Sequence, residues 1–70
     1  MRGDEKVIVN GKNMEFDGDI SVKDLLSHMN VDEDVVVVEV DFEILPKDSY
    51  ETHILDESSR VEIVAFVGGG

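Results

Sequence analysis

The chain has 70 residues, with 6 Lys and Arg against 17 Asp and Glu, so its formal net charge is −11. So short a chain forms one small domain, and its acidity argues against nucleic-acid binding and favours a basic protein partner, although an acidic surface can also serve solubility alone. The lack of cysteine excludes disulfides, thiolate metal sites and a thiol nucleophile. No signal peptide or membrane-spanning run is evident, so we expect a cytoplasmic protein without membrane contact.

The N-terminal part predicts a β-hairpin. Two short runs with strand character, residues 6–9 and 12–16, are separated by Asn10-Gly11. Asn-Gly between such runs favours a two-residue turn, because both turn residues must adopt positive φ.

The next segment predicts an amphipathic helix. Ser21 can cap the free backbone N–H groups, and Asp24 suits the positive end of the helix dipole. Apolar residues then recur at helical spacing at Val22, Leu25, Leu26 and Met29. We expect the helix to end near Asn30.

The second half predicts further strands. Residues 32–34 are expected to form a solvated loop. Residues 35–40, apolar except for Glu39, are expected to form a strand buried on both faces at the sheet centre. Pro46 should end a short edge strand at residues 44–45. Residues 47–54 are expected to be irregular, with one helical turn around residues 48–50, and residues 60–67 to form the last strand.

These elements predict an α+β fold. We expect a four- to five-stranded mixed sheet with one main helix across one face, built by residues 1–67. Residues 68–70 would form a flexible glycine tail. The pattern does not fix the strand order.

The chain ends in Gly68-Gly69-Gly70, directly after an apolar strand. Because glycine lacks a Cβ, such a tail can pass through a narrow channel and present the carboxylate of Gly70 to another protein. An unstructured end without a function is the alternative.

The last strand also predicts a docking patch. Strand alternation places Val64 and Phe66 on the same face as Glu62, which should point outward. An exposed apolar pair beside a reactive tail would suit a protein interface. The alternative is that the fold buries both faces of this strand.

The order of elements and the terminal glycines resemble the β-grasp, or ubiquitin-like, fold. The hairpin 7–12, the segment Ile44-Leu45-Pro46-Lys47-Asp48-Ser49-Tyr50 and the run 60–70 resemble, more narrowly, the ThiS-like sulfur carriers of thiamine biosynthesis in the ThiS/MoaD superfamily. Two turns depart from this family. An acidic-Gly turn is common where residues 56–59 lie, and Asn-Gly is common where Asp41-Phe42 lies.

The resemblance implies a carrier and not an enzyme. An activating enzyme of the ThiF/MoeB type would use ATP to adenylate the carboxylate of Gly70, and a sulfur donor would convert it to a thiocarboxylate. An acceptor such as thiazole synthase would then take the sulfur. The chain itself would bind no cofactor and would be a monomer when free.

Three alternatives stay open. The chain could be a protein modifier joined through Gly70 to target lysines, a carrier for molybdopterin synthesis or tRNA thiolation, or a small binding domain with an inert tail. No catalytic set is evident in the sequence, and neither His28 nor His53 has a partner at metal-ligand spacing, so we expect no metal site.

Overall fold

The computed structural model describes residues 5–57 and 59–65 of the chain. These residues form an α+β fold with one α-helix, α1 (Val22–His28), and seven strands. The strands are β1 (Glu5–Val9), β2 (Lys12–Phe16), β3 (Ile20–Ser21), β4 (Val36–Val40), β5 (Glu43–Ile44), β6 (Ile54–Leu55) and β7 (Arg60–Ala65).

Five of the strands form one mixed sheet in the order β2-β1-β7-β4-β5. The β1–β7 pair is parallel, and the other three pairs are antiparallel. Strands β3 and β6 form a separate antiparallel pair. The predicted β-grasp architecture, a four- to five-stranded mixed sheet with one main helix, is confirmed.

The first hairpin forms as predicted. Asn10 and Gly11 have φ of 51° and 82°, the left-handed values that a two-residue turn between twisted strands requires. The register pairs Val9 with Lys12 and Val7 with Met14. Val7 and Val9, two residues apart on β1, therefore both point into the core and are buried.

Helix α1 begins at the predicted cap. The Ser21 hydroxyl oxygen accepts a hydrogen bond from the Asp24 N–H at 3.0 Å. The helix ends at His28, slightly before the predicted end near Asn30. Asn30 has a φ of 61° and donates its N–H to Ser27, while the Val31 N–H bonds to the Leu26 carbonyl, so the end of the helix is a Schellman motif.

The core lies between α1 and one face of the sheet. The helix contributes Val22, Leu25 and Leu26, as predicted, and Met29 packs against the cluster from its edge. The buried residues of the sheet and of the segments around it are Val7, Val9, Val36, Val38, Val40, Tyr50, Leu55 and Val61.

The interpretation of residues 35–40 is partly wrong. Val35 lies in a 3-10 helix, Glu33–Val35, and β4 is buried on one face only: Val36, Val38 and Val40 are inside, and Val37 and Glu39 are half-buried on the other side. The sheet centre is β7, with β1 on one side and β4 on the other. An apolar run can therefore also form a strand inside the sheet that is fully buried on one face only.

The connecting segments are more ordered than predicted. The expected loop at residues 32–34 contributes to the 3-10 helix, which Asp32 caps by accepting from the Asp34 N–H. The helical turn expected around residues 48–50 is the 3-10 helix Lys47–Ser49. The Asp34 carboxylate, hydrogen-bonded to the Lys47 ammonium, links the two segments and raises the pKa of Lys47. Being exposed, this pair contributes little to stability.

Two strand predictions need correction as well. Ile54, expected to end the irregular segment 47–54, forms β6 together with Leu55. This strand pairs with β3, which the sequence pattern did not predict. The short edge strand is Glu43–Ile44, one residue earlier than predicted. Over residues 5–57 and 59–65, no helix has the length and apolar content needed to span a membrane.

Candidate functional site

The site is built around the end of β7, the central strand that leads towards the terminal glycines. Strand β4 pairs with β7 along its length, from Val40 opposite Val61 to Val36 opposite Ala65. On the other side, β1 pairs only with the start of β7, where Ile8 lies opposite Arg60 and Val9 opposite Val61. The second half of β7 is therefore held by a neighbouring strand on one side only, by β4.

Asn10 extends the support on the weaker side. Its backbone N–H donates to the Val61 carbonyl at 2.8 Å, and its side-chain carbonyl oxygen accepts from the Ile63 N–H at 2.7 Å. The side-chain oxygen thus takes the place that the backbone carbonyl of residue 10 would have if the parallel ladder continued. The sequence pattern assigned Asn10 to the turn but gave no signal for this second contact, which spans 53 positions.

Replacing Asn10 by Gly should remove the side-chain hydrogen bond to Ile63 without straining the turn, because glycine accepts the positive φ. We expect a loss of about 0.5–1.5 kcal/mol of unfolding free energy, the usual net value of one hydrogen bond. The Ile63 amide should exchange with deuterium faster, and Asn13→Gly, at an exposed position of β2, serves as the control. Unchanged exchange at Ile63 in Asn10→Gly would show that the side-chain bond does not hold β7.

The sheet face away from α1 carries the exposed residues of the site. We call it the open face. Its residues on the three strands at this side of the sheet are Val37 and Glu39 of β4, Ile44 of β5, and Arg60, Glu62 and Val64 of β7. Val64 is 56% exposed and lies on this face with Glu62, as strand alternation predicted.

Its proposed partner in the docking patch, Phe66, lies outside the described residues, and so do Gly68, Gly69 and Gly70. The docking role of Val64 and Phe66 and the tail chemistry therefore stay predictions. Of the residues proposed for the site, the structure places Val64 alone.

Like charges meet at the middle of the open face. Glu39 of β4 lies directly opposite Glu62 of β7, and Ile44 of β5 lies on the other side of Glu39. Directly opposite residues on one face have Cβ atoms roughly 4.5–5.5 Å apart, and two carboxylates at this spacing repel each other. A cation from a partner protein would relieve this repulsion.

Phe42 is the feature of this face that sequence analysis missed. Asp41 and Phe42 form the two-residue turn between β4 and β5, with φ of 52° and 72°. Glycine is the usual residue at the second position, since a side chain in the left-handed region costs about 1–2 kcal/mol. The Phe42 side chain is 76% exposed, so burial of the ring does not offset this cost. The available signal was the replacement of the common Asn-Gly by Asp41-Phe42.

The turn is fastened to the start of β7. The Arg60 N–H donates to the Asp41 carboxylate at 3.1 Å, and the Asp41 N–H donates to the Arg60 carbonyl at 2.8 Å. The guanidinium carbon of Arg60 lies 5.6 Å from the centre of the Phe42 ring, within cation–π range. These contacts fix where the Phe42 ring sits.

Sequence comparison identifies the family. The model of the ThiS family matches residues 7–70 of the chain. The chain belongs to the ThiS family. This confirms the resemblance, and membership makes the chain a small carrier protein and not an enzyme.

Individual relatives agree. The chain is 36% identical over 63 residues to the sulfur carrier protein ThiS of Bacillus subtilis, covering 89% of this chain and 96% of that protein. It is 40% identical over 65 residues to a thiazole synthase of Paramagnetospirillum magneticum, covering 93% of this chain but 20% of that protein. The chain thus spans one fifth of the length of that relative.

A solved structure agrees with the fold. The crystal structure of the thiamine biosynthesis protein ThiS from Geobacter metallireducens is similar with a TM-score of 0.79 and 32% identity. The match covers 93% of this chain and 99% of that one. The solution structure of a thiamine biosynthesis protein from the same organism has a TM-score of 0.74.

Proposed function

We propose that this chain is a sulfur carrier of thiamine biosynthesis and that the carboxylate of Gly70 is the group that carries sulfur. The observation that carries the proposal is the extent of the family match, which runs through residue 70 and so includes the three terminal glycines. Residues 68–70 would act as a flexible tail beyond a β-grasp domain of residues 1–67. The exposure of Val64 and Ala65, at the end of β7 that precedes them in the chain, is consistent with a tail offered to another protein.

The chemistry follows from the properties of a carboxylate, which is a poor electrophile until one oxygen becomes part of a good leaving group. A Gly70 oxygen attacks the α-phosphorus of ATP, and pyrophosphate leaves. A nucleophile at the oxidation level of sulfide then attacks the carbonyl carbon and AMP leaves, so that the terminus becomes a thiocarboxylate. The chain supplies the group that reacts, while a ThiF/MoeB-like activating enzyme supplies the catalytic residues and binds ATP.

The acceptor that fits is a thiazole synthase. In the Paramagnetospirillum magneticum protein of that name, the segment similar to this chain makes up 20% of the length. A carrier-like segment and a synthase joined in one chain are expected if the synthase takes sulfur from the carrier, because the link raises their effective concentration. We therefore place thiazole formation ahead of molybdopterin synthesis and tRNA thiolation.

Pyrophosphate exchange tests the proposal directly. The purified full-length chain, the activating enzyme of the same organism and ATP should exchange labelled pyrophosphate into ATP at a rate that depends on the chain. The exchange should disappear when the chain is omitted. No exchange at saturating concentrations of a chain that binds the enzyme would contradict adenylation.

The docking patch makes a separate prediction. Phe66→Ala should weaken association with the activating enzyme by about 1–3 kcal/mol, and Val64→Ala by less, because aromatic side chains often dominate interfaces. Adenylation should recover at high enzyme concentration, since the carboxylate is intact.

Ile54→Ala is the control, because Ile54 is exposed to a similar degree as Val64, at 51%, but lies on β6 outside the main sheet. Thermal unfolding of Phe66→Ala must match the wild type for the result to count. Equal affinities of all three variants would contradict the patch.

A further inference from the structure

We infer that Phe42 is a specificity-determining anchor for the protein that takes the terminal carboxylate. In this inference, which rests on the proposed function, Phe42 fills an apolar pocket on that protein that is rimmed by Lys or Arg side chains. Four observations support it: backbone strain, the placement of the ring, the extent of the open face and its charge.

Apart from the cation–π contact with Arg60, worth about 0.5–1 kcal/mol at an exposed site, the Phe42 side chain gives the fold little in return for its backbone strain. Its φ of 72° is a conformation that L side chains rarely adopt, and its side chain is 76% exposed, so it buries little apolar surface. Glycine at this position would form the same turn without strain. Strained residues that are retained at an exposed position concentrate at binding and switch sites.

The placement of the ring turns Phe42 towards the open face. Its ring lies over the guanidinium of Arg60, which shares that face with Glu62 and Val64 at alternate positions of β7. Asp41 bonds to the Arg60 backbone in both directions and holds the turn in place. The ring is therefore presented beside the sheet at the end opposite to the tail.

The open face is small enough for one partner to cover. Ile44, 68% exposed, follows Phe42 by two residues, and Val64 lies at the tail end of the same face. The five residue steps from Arg60 to Ala65 span roughly 17 Å. A standard interface, with about 800 Å² on each partner, is roughly 30 Å across. A protein that takes the tail and covers Val64 therefore reaches Phe42 as well.

The charge of the face selects the partner. Glu39 and Glu62 lie opposite each other between the apolar ends of the face, and Asp41 and Glu43 are the neighbours of Phe42 in the chain. An apolar pocket without a basic rim would leave the Glu39 and Glu62 carboxylates without a counter-charge on binding. Basic side chains around the pocket would pair with them and would also speed association with a chain of net charge −11.

Phe42→Gly tests the inference because binding and stability should move differently. The dissociation constant for the activating enzyme of the same organism, measured by calorimetry, should rise about 10- to 100-fold. The thermal midpoint should stay level or rise, since glycine relieves the strain. Pyrophosphate exchange at saturating enzyme should keep its maximal rate. Phe42→Asn should behave like Phe42→Gly, because asparagine also tolerates this φ. Phe42→Tyr should bind the enzyme like the wild type. Ile54→Ala is the control for the loss of an exposed apolar side chain.

The outcomes separate the two proposals. Equal dissociation constants for the wild type and Phe42→Gly, or a thermal midpoint that falls by more than about 5 °C, would overturn the anchor and leave the sulfur-carrier proposal standing. A wild-type chain that binds the enzyme but is never adenylated would overturn the carrier proposal alone. A wild-type chain that does not bind the enzyme would overturn both.

Discussion

Deletion of Gly70 should abolish adenylation while leaving association with the activating enzyme largely intact. The shortened chain ends at Gly69, which withdraws the carboxylate by roughly 3.3–3.6 Å. A reacting group misplaced by even about 1 Å can lose 10²-fold in rate, so we expect a loss of at least that size. The residues of the open face that we propose to contact the enzyme are unchanged. Single-turnover pyrophosphate release at saturating enzyme measures the rate, and calorimetry measures the affinity.

The Gly70 deletion and the Phe66→Ala variant should fail in opposite ways, and each is therefore the control for the other. The deletion should lose rate and keep affinity, while Phe66→Ala should lose affinity and keep rate. An activating enzyme that adenylates the shortened chain at the normal rate would contradict the role of Gly70. The reading of the chain as a small binding domain with an inert tail would then lead.

Leu25→Ala should remove a large part of the stability of the fold. The Leu25 side chain is fully buried between α1 and the sheet, and truncation of a buried leucine costs about 2–5 kcal/mol. A chain of 70 residues has a total stability of only roughly 3–10 kcal/mol. The thermal midpoint should fall by on the order of 10–25 °C, followed by circular dichroism.

Ser27→Ala is the matched control for this substitution. Ser27 lies on the exposed side of the same helix, and alanine has the higher helix propensity, so the midpoint should hold or rise slightly. A Leu25→Ala midpoint within about 3 °C of the wild type would contradict the assignment of Leu25 to a tightly packed core.

The hairpin and the helix were predictable because their signals are local. Asn10-Gly11 favours a turn through the conformations of its own two residues, and Ser21 with the apolar spacing after it defines both the start and the inner face of α1.

The strand order was not predictable in this way. The parallel pairing of β1 with β7 joins the two ends of the domain, and nothing in either strand alone specifies its neighbour. The apolar run in β4 therefore suggested the wrong central strand.

The same distinction applies to the site. Val64 was predictable because Glu62, two residues earlier, indicates the outward face. The side-chain bond from Asn10 to Ile63 and the position of Phe42 over Arg60 each depend on segments far apart in the chain. The departure from Asn-Gly at Asp41-Phe42 was visible in the sequence, but its meaning required the backbone angles.

The intact mass of the chain, purified from the cells that make it and grown under demand for thiamine, tests the central claim most directly. The sulfur-carrier account predicts a fraction whose mass is greater by the difference between one sulfur and one oxygen atom, located at Gly70 by fragmentation. That fraction should vanish when the activating enzyme is deleted. A chain found only in covalent adducts with other proteins, or only with an unmodified terminus, would contradict the account.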